Sequence, residues 1–317
     1  MDASSRAAGP AEHRDGPLLC GVDGRESRRA LLAAARLADA LGARVLLEHV
    51  ASSPEQLPAG MASQRVHVRD RIVEAAEQVL AEAASEPFDE PPADEAMRQA
   101  ERRVDFGDPV TRLASCAEEV GARLIVVGAR GRHPAKAAVL GSVSQRLAAE
   151  QSRPVLVVPS GSDIPRFATP AEDERSVVCG CDGSDNALRA ARTAAWLASS
   201  LERRLILAHV AEAGVPSATD GIEYEDVLEA DARPRLRLLE RASQATADAD
   251  IEVTLLTGAV GPELERLAAR KSADLIVVGT RGHGALKALA LGSVSRGLAS
   301  SASRPVVVVN DPPPASK

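Results

Sequence analysis

Two stretches of the chain share a glycine spacing that could bring backbone close to an anion: VVGARGRHPAKAAVLGS, Val126–Ser142, and VVGTRGHGALKALALGS, Val277–Ser293. In each, a glycine is followed by two residues and a second glycine, then by nine residues and Gly-Ser. The positions are Gly128, Gly131, Gly141 and Ser142, then Gly279, Gly282, Gly292 and Ser293, all at one constant offset. Glycine admits positive φ and has no Cβ to hold a ligand away. Gly-Ser ahead of the next amphipathic segment opens a helix, whose unpaired N–H groups and positive dipole end favour an anion. Ser142 and Ser293 could cap that helix or donate to a phosphate oxygen. Basic residues bracket the loops: Arg130, Arg132, His133 and Lys136 in one, Arg281, His283 and Lys287 in the other. The bland alternative, tight turns flanked by solvated bases, weighs equally for one copy and loses weight with two. The spacing is neither a Walker loop, which needs Gly-Lys-Ser/Thr, nor a Rossmann fingerprint, which follows the first strand.

A second pair of motifs lies upstream. Asp23-Gly24 follows LLCGV, and Asp182-Gly183 follows VVCGC. A carboxylate at a strand end can cap the next helix or accept hydrogen bonds from a ribose or an adenine amino group, and the ligand role is favoured because the glycine permits close backbone approach. His49-Val50 and His209-Val210 end the next apolar run in each copy. With no carboxylate or cysteine beside them in sequence, these histidines read as structural rather than catalytic. The four cysteines, Cys20, Cys116, Cys179 and Cys181, fit neither a disulfide framework nor a zinc spacing. They are expected as small buried thiols of a reducing compartment, Cys179 and Cys181 facing opposite ways on one strand, with a redox role left open only for Cys116.

These motifs need elements to position them. In the first half, apolar runs predict strands over Leu18–Val22, Arg44–Val50, Arg102–Phe106, Arg123–Val127 and Pro154–Val158. Ala-rich amphipathic stretches predict helices near Ser27–Leu41, Gln64–Ala84, Pro109–Val120 and Ser142–Glu150. LIVV and VLVV are apolar at consecutive positions, as parallel strands covered on both faces are. The second half repeats this plan, with the excess of the first placed in the acidic, proline-broken SEPFDEPPADE, Ser85–Glu95. The fold class is therefore α/β, two tandem doubly wound five-stranded parallel-sheet domains of order 3-2-1-4-5. The expected boundaries are a disordered tail over 1–16, a first domain over 17–159, a linker over 160–174, a second domain over 175–310 and a tail over 311–317. In such sheets ligands bind outside the carboxyl ends of the strands at the switch point, where the Asp-Gly and glycine loops would converge.

Composition narrows the partners. Of 317 residues 45% are hydrophobic but only 2% aromatic, so a bound base would be gripped by aliphatic side chains and backbone. The net charge of −7 and a pI near 5.5 argue against non-specific nucleic-acid binding. No apolar stretch approaches the ~20 residues that span a bilayer, and the first seventeen residues lack the apolar core of a secretory signal. A cytoplasmic protein is expected.

Taken in order and twice over, Asp-Gly after the first strand, His-Val after the second and Gly-x2-Gly-x9-Gly-Ser after the fourth resemble the universal stress protein family in its tandem form, from Leu18 to Val309. The resemblance implies ATP, with Mg2+ possible beside it, held between the Asp loop and the glycine loop. It places Asp23, Gly24 and Val50, and in the second copy Asp182, Gly183, Ser184 and Val210, at the adenosine end. It places Gly128, Gly131, Arg132, Gly141, Ser142 and Val143, and their counterparts Gly279, Gly282, His283, Gly292, Ser293 and Val294, around ribose and phosphates. It also implies pairing through the fifth strands, PVLVV and PVVVV, between the two domains, and a homodimer with an unidentified regulatory protein partner. The second copy is nearer the family pattern: Ser184 follows its Asp-Gly where the first has Arg25, and Ala285 stands where the first has Pro134. The expected function is a stress-response protein that binds ATP as a regulatory ligand and is at most a weak ATPase, since no general base is apparent. The alternatives are a slow ATP hydrolase and a ligand-free interaction module.

Overall fold

Aliphatic runs too short for helices and bounded by helix-forming segments build a parallel sheet. The computed structural model describes residues 15–53, 65–131, 140–168, 175–211, 250–280 and 291–310. In the first half the strands are β1 Leu18–Gly21, β2 Val45–Ala51, β3 Glu101–Phe106, β4 Leu124–Gly128 and β5 Val155–Val158. In the second they are β6 Ser176–Gly180, β7 Arg204–Ala211, β8 Ile251–Thr257, β9 Ala273–Gly279 and β10 Val306–Val309. All ten form one sheet in the order β3-β2-β1-β4-β5-β10-β9-β6-β7-β8. Each half has the expected 3-2-1-4-5 order.

The halves are joined strand to strand. β10 pairs with β5 antiparallel, Val306 opposite Val157 and Val308 opposite Val155, while every other pairing is parallel. Two edges that would otherwise present unpaired N–H and C=O groups satisfy each other within one chain.

The helices are α1 Arg28–Leu41, α2 Arg65–Ser85, α3 Pro91–Arg98, α4 Pro109–Glu119, α5 Ser142–Glu150, α6 Asp185–Ser200, α7 Val260–Arg270 and α8 Ser293–Ser301. α1, α3 and α6 bury their alanine and leucine faces on one side of the sheet, and α4, α5, α7 and α8 on the other. Both cores run across both halves, and they hold the central strands rigidly enough to carry loops at their carboxyl ends.

Two local readings are corrected. The segment Ser85–Glu95 is not simply broken by its prolines: Pro91 and Pro92 occupy the first turn of α3, where the missing N–H costs nothing. Asp94 accepts from the backbone N–H groups of Phe88 and Glu90, and Ala93 and Met97 are buried against α1. α1 does not start at Ser27; a 3-10 turn over Gly24–Ser27 precedes it.

Residues 160–168, a linker by composition, are strapped to both halves. Arg36 in α1 donates to Ile164 O, Arg203 donates to Phe167 O at 3.0 Å, and Asp163 N–H donates to Ser303 O at 2.8 Å. Ile164 and Phe167 are buried.

Candidate functional site

The Asp loop of each half is aimed by its second strand. Val22 N–H donates to Glu48 O and Cys181 N–H to Ala208 O, both at 2.8 Å, carrying the strand pairing one residue past the end of β1 and of β6. The buried imidazoles fasten the same point: His49 Nδ1 lies 2.7 Å from Val22 O and His209 Nδ1 2.8 Å from Cys181 O. In each case the nitrogen facing the carbonyl carries the proton. The histidines are structural, as expected, and what they hold is the residue before the aspartate.

Gly24 and Gly183 adopt φ of +77° and +83°, a region L side chains rarely enter. The glycine is thus required by the turn itself; at Gly24 a Cβ would meet nothing within 4 Å, so close approach by a neighbour is not the reason.

Beyond this turn the two copies diverge. Ser184 caps α6, its Oγ accepting from Ala187 N–H at 3.2 Å, and Asp182 Oδ1 accepts from Ser184 N–H at 3.0 Å and from its hydroxyl at 2.7 Å. In the first half the carboxylate of Asp23 caps nothing; Ser27 Oγ instead accepts from Asp23 N–H at 2.7 Å. Asp182 thus supports the helix cap through Ser184, a role that Asp23 does not share, and Asp23 faces the first glycine loop. A Cβ placed on Gly131 would fall 2.6 Å from Asp23 Oδ2, so only glycine fits there as the chain stands.

The glycine loops are pinned at their bases. Gly141 N–H donates to Ala129 O and Gly292 N–H to Thr280 O, each at 2.8 Å. Ser144 Oγ donates to Gly128 O and Ser295 Oγ to Gly279 O, each at 2.6 Å. These buried serines went unremarked in the sequence although GSVS repeats exactly where they stand; the repeat itself was the available signal. Arg132, His133, Pro134 and Lys136 of the first loop, and Arg281, Gly282, His283, Ala285 and Lys287 of the second, lie outside the described residues.

The capping role expected for Ser142 and Ser293 is not found. Gly141 and Gly292 occupy the N-cap positions, Ser142 and Ser293 are the first helical residues, and neither helix has a side-chain cap. The backbone geometry that lets the chain turn into α5 and α8 comes from glycine. The serines are exposed and Val143 and Val294 half-buried at those helix starts, and Val50 and Val210 line the end of the second strands. First-turn N–H groups have no partner within a helix, and both helix starts follow directly on the loop bases beside β4 and β9.

The second site carries a relay that the first lacks. Asn186 Nδ2 donates to Thr280 Oγ1 at 3.3 Å, Thr280 Oγ1 to Asn310 Oδ1 at 2.8 Å, and Asn310 Nδ2 to Ala149 O at 2.6 Å, at the end of α5 in the other half. The equivalent positions of the first half are Ser27, Ala129 and Pro159.

The Ser295 clamp has a measurable weight. Ser295→Ala removes the donor and leaves Gly279 O short of a partner, a cost of about 1–3 kcal/mol. The thermal midpoint should fall by roughly 2–4 °C per kcal/mol lost, and Ser144→Ala should do the same in the first half. A thermal melt indistinguishable from that of the unsubstituted chain would show that the clamp carries no load.

A pair of doubly wound domains, each with an Asp-Gly turn after its first strand and the base of a glycine loop after its fourth, at the switch point of its sheet, defines a tandem α/β crevice protein. The universal stress protein family model matches residues 16–159 and again 174–310, and the chain belongs to that family, whose members are generally not enzymes. A universal stress protein of Mycobacterium tuberculosis is 30% identical over 247 residues, covering 76% of this chain and 73% of that one. A crystal structure of a universal stress protein from Archaeoglobus fulgidus superposes with a TM-score of 0.65 at 23% identity, covering 93% of this chain and 98% of that one, and shows the shared fold. Another from the same organism, in complex with dAMP, is 25% identical over 43% of this chain and 97% of its own, with a TM-score of 0.34. Among the described residues no helix is long and apolar enough to cross a membrane.

Proposed function

We propose that this chain is a cytoplasmic stress-response protein that binds ATP, with Mg2+ where the nucleotide brings it, as a regulatory ligand in one or both halves. The observation that carries the reading is the convergence at the switch point. The Asp23 carboxylate lies where a Cβ of Gly131 would stand, and the uncapped start of α5 follows on the same loop base. A carboxylate suits a sugar hydroxyl or an amino group, and a helix start with free N–H groups suits phosphate. Among the described residues the site is aliphatic and has no aromatic platform, so recognition of the base rests on backbone and on Val50 and Val210. Adenine presents an amino donor beside a ring acceptor, a pair that backbone C=O and N–H groups can match together.

Occupancy then regulates association with a protein partner. The fifth-strand edges are already spent on each other, so a homodimer has to form through another face.

Calorimetric titration of the purified chain with ATP and with GTP tests the nucleotide reading. ATP should bind at up to two sites and GTP clearly more weakly. Equal affinity for the two, or no heat with either, would sink it.

A further inference from the structure

Two thiols meet at the start of the second Asp loop. The sequence there is Cys179-Gly180-Cys181-Asp182, with β6 ending at Gly180. The expectation that the two side chains point apart is wrong: residues two apart on a strand share a face, and the Sγ atoms lie 3.6 Å apart. Cys179 is fully buried and Cys181 is 5% exposed. Gly180 between them is closely packed: an added Cβ would come within 2.8 Å of Leu264 Cδ1. The first half supplies a built-in comparison, because its equivalent sequence is Cys20-Gly21-Val22, with one thiol.

We propose that Cys179 and Cys181 form a redox-active dithiol that closes to an intrachain disulfide under hydrogen peroxide or a small-molecule disulfide. The sulfurs must move from contact to a bond of roughly 2.05 Å. Cys181 is the more exposed and so meets the oxidant first. Cys179 is the resolving thiol: its hydrogen bond with Cys181 and its burial keep it protonated until then. With peroxide, the Cys181 sulfur attacks one oxygen; an S–O bond forms, the O–O bond breaks, and the thiol proton leaves with the released oxygen as water. The Cys179 sulfur then attacks the sulfenic sulfur; the S–S bond forms, the S–O bond breaks, and a second water carries off the second thiol proton. Two thiols and one peroxide become one disulfide and two waters, two electrons passing from sulfur to oxygen. With a small-molecule disulfide, the Cys181 sulfur displaces one of its thiols to form a mixed disulfide, the Cys179 sulfur displaces the other, and the two thiol protons leave on the released thiols.

Closure has a consequence for the loop. Cys181 holds the aspartate in place through its N–H to Ala208 O and its O to His209 Nδ1. Drawing Cys181 toward Cys179 strains both bonds and displaces Asp182. On the reading that Asp182 contacts the nucleotide, oxidation weakens binding in the second half while leaving the first alone.

Oxidation of the reduced full chain, first with hydrogen peroxide and separately with glutathione disulfide, followed by alkylation and trypsin digestion, tests this. Cleavage after Arg175 and Arg189 puts both cysteines in one peptide, Ser176–Arg189. That peptide should be recovered unalkylated and lighter by two hydrogens, and should revert with dithiothreitol, while Cys20 and Cys116 stay alkylatable. In Cys181→Ser, Cys179 should remain alkylatable after the same treatment. Recovery of the unsubstituted peptide alkylated at both cysteines, or carrying only separate sulfinic or sulfonic acids, would overturn the proposal, and this reading does not depend on any variant folding. ATP titration of oxidised against reduced chain should show about a tenfold loss at one site. Equal affinities would overturn the coupling to the loop, and a reduced chain that binds no ATP would overturn the nucleotide reading while the mass result still decides the disulfide.

Discussion

Gly282→Glu is expected to remove most of the ATP binding measured for this chain. In the first half a Cβ on its repeat partner Gly131 would fall 2.6 Å from Asp23 Oδ2, so a side chain there must push that carboxylate aside; the repeated spacing leads us to expect the same of Gly282. Glutamate adds bulk and a negative charge facing the phosphates. Losing two charge-assisted hydrogen bonds at ~1.5–3 kcal/mol each weakens binding by at least about a hundredfold. Gly131→Glu should remove the smaller share, because the first site departs from the pattern. It has Arg25 where Ser184 caps α6, a 3-10 turn in place of that cap, and no counterpart to the Asn186–Thr280–Asn310 relay. Both variants should keep the far-ultraviolet circular dichroism of the parent: Gly131 lies outside every described strand and helix, and the repeat gives the same expectation for Gly282. A Gly282→Glu chain that folds and titrates with ATP at full stoichiometry and affinity would refute the phosphate role of the loop. A greater loss in Gly131→Glu would reverse the ranking of the two sites.

Glu48→Gln is expected to stabilise the chain at alkaline pH and to flatten its stability profile through neutrality. Glu48 sits in β2 beneath α4, 1% exposed, with both carboxylate oxygens buried and unpartnered. Its neighbour on β1 is Gly21, and on β3 it is Arg103, whose guanidinium pairs with Glu119 of α4 at 2.9 Å. Burial pushes the carboxyl from an ordinary value of 4.5 up to about 7; the Cys116 thiol of α4 and Arg103 pull it down, while Asp105 and Glu119 push it up. The Cys116 thiol is itself driven to about 12, by burial first and then by Glu48.

Because the folded carboxyl holds its proton more tightly than the unfolded one, the stability it confers is fully present below the unfolded value. That stability is lost as pH rises from there through about 7. A shift of this size converts to about 3 kcal/mol, which local relaxation around the ionised carboxylate reduces. Denaturant melts of both chains between about pH 5 and pH 8 should converge in acid and separate in base, the variant being the more stable there. The second half already carries Ala208 at the equivalent position, so Glu48→Ala should separate in the same direction. Profiles that stay parallel across the range would show that Glu48 is ionised and solvated.

The sequence by itself determined each half. Consecutive aliphatics in LIVV and VLVV can be satisfied only by burial on both faces, and the strand–helix alternation then leaves right-handed crossovers and the order 3-2-1-4-5. Repetition placed the Asp-Gly turn and the glycine loop at the same end of that sheet, because both follow strands that run parallel. Helix α5 was legible to the residue, Ser142–Glu150, since Gly-Ser and the apolar period act within one turn of each other. What depended on partners distant in sequence was not legible. Pro91 and Pro92 start α3 rather than break the chain because Asp94 and α1 are there to receive it. Ser144 and Ser295 become clamps only when the helix start is folded back onto the end of β4 or β9. Glu48 is an ordinary strand residue until α4 closes over it. The fusion of β5 with β10, which turns two sheets into one, was expected from the family resemblance and not from composition or spacing. Its antiparallel register and the tie of Asn310 to α5 were decided by tertiary structure: local propensity specifies a strand, but which groups it meets is settled by the backbone and side chains that only the assembled fold brings opposite one another.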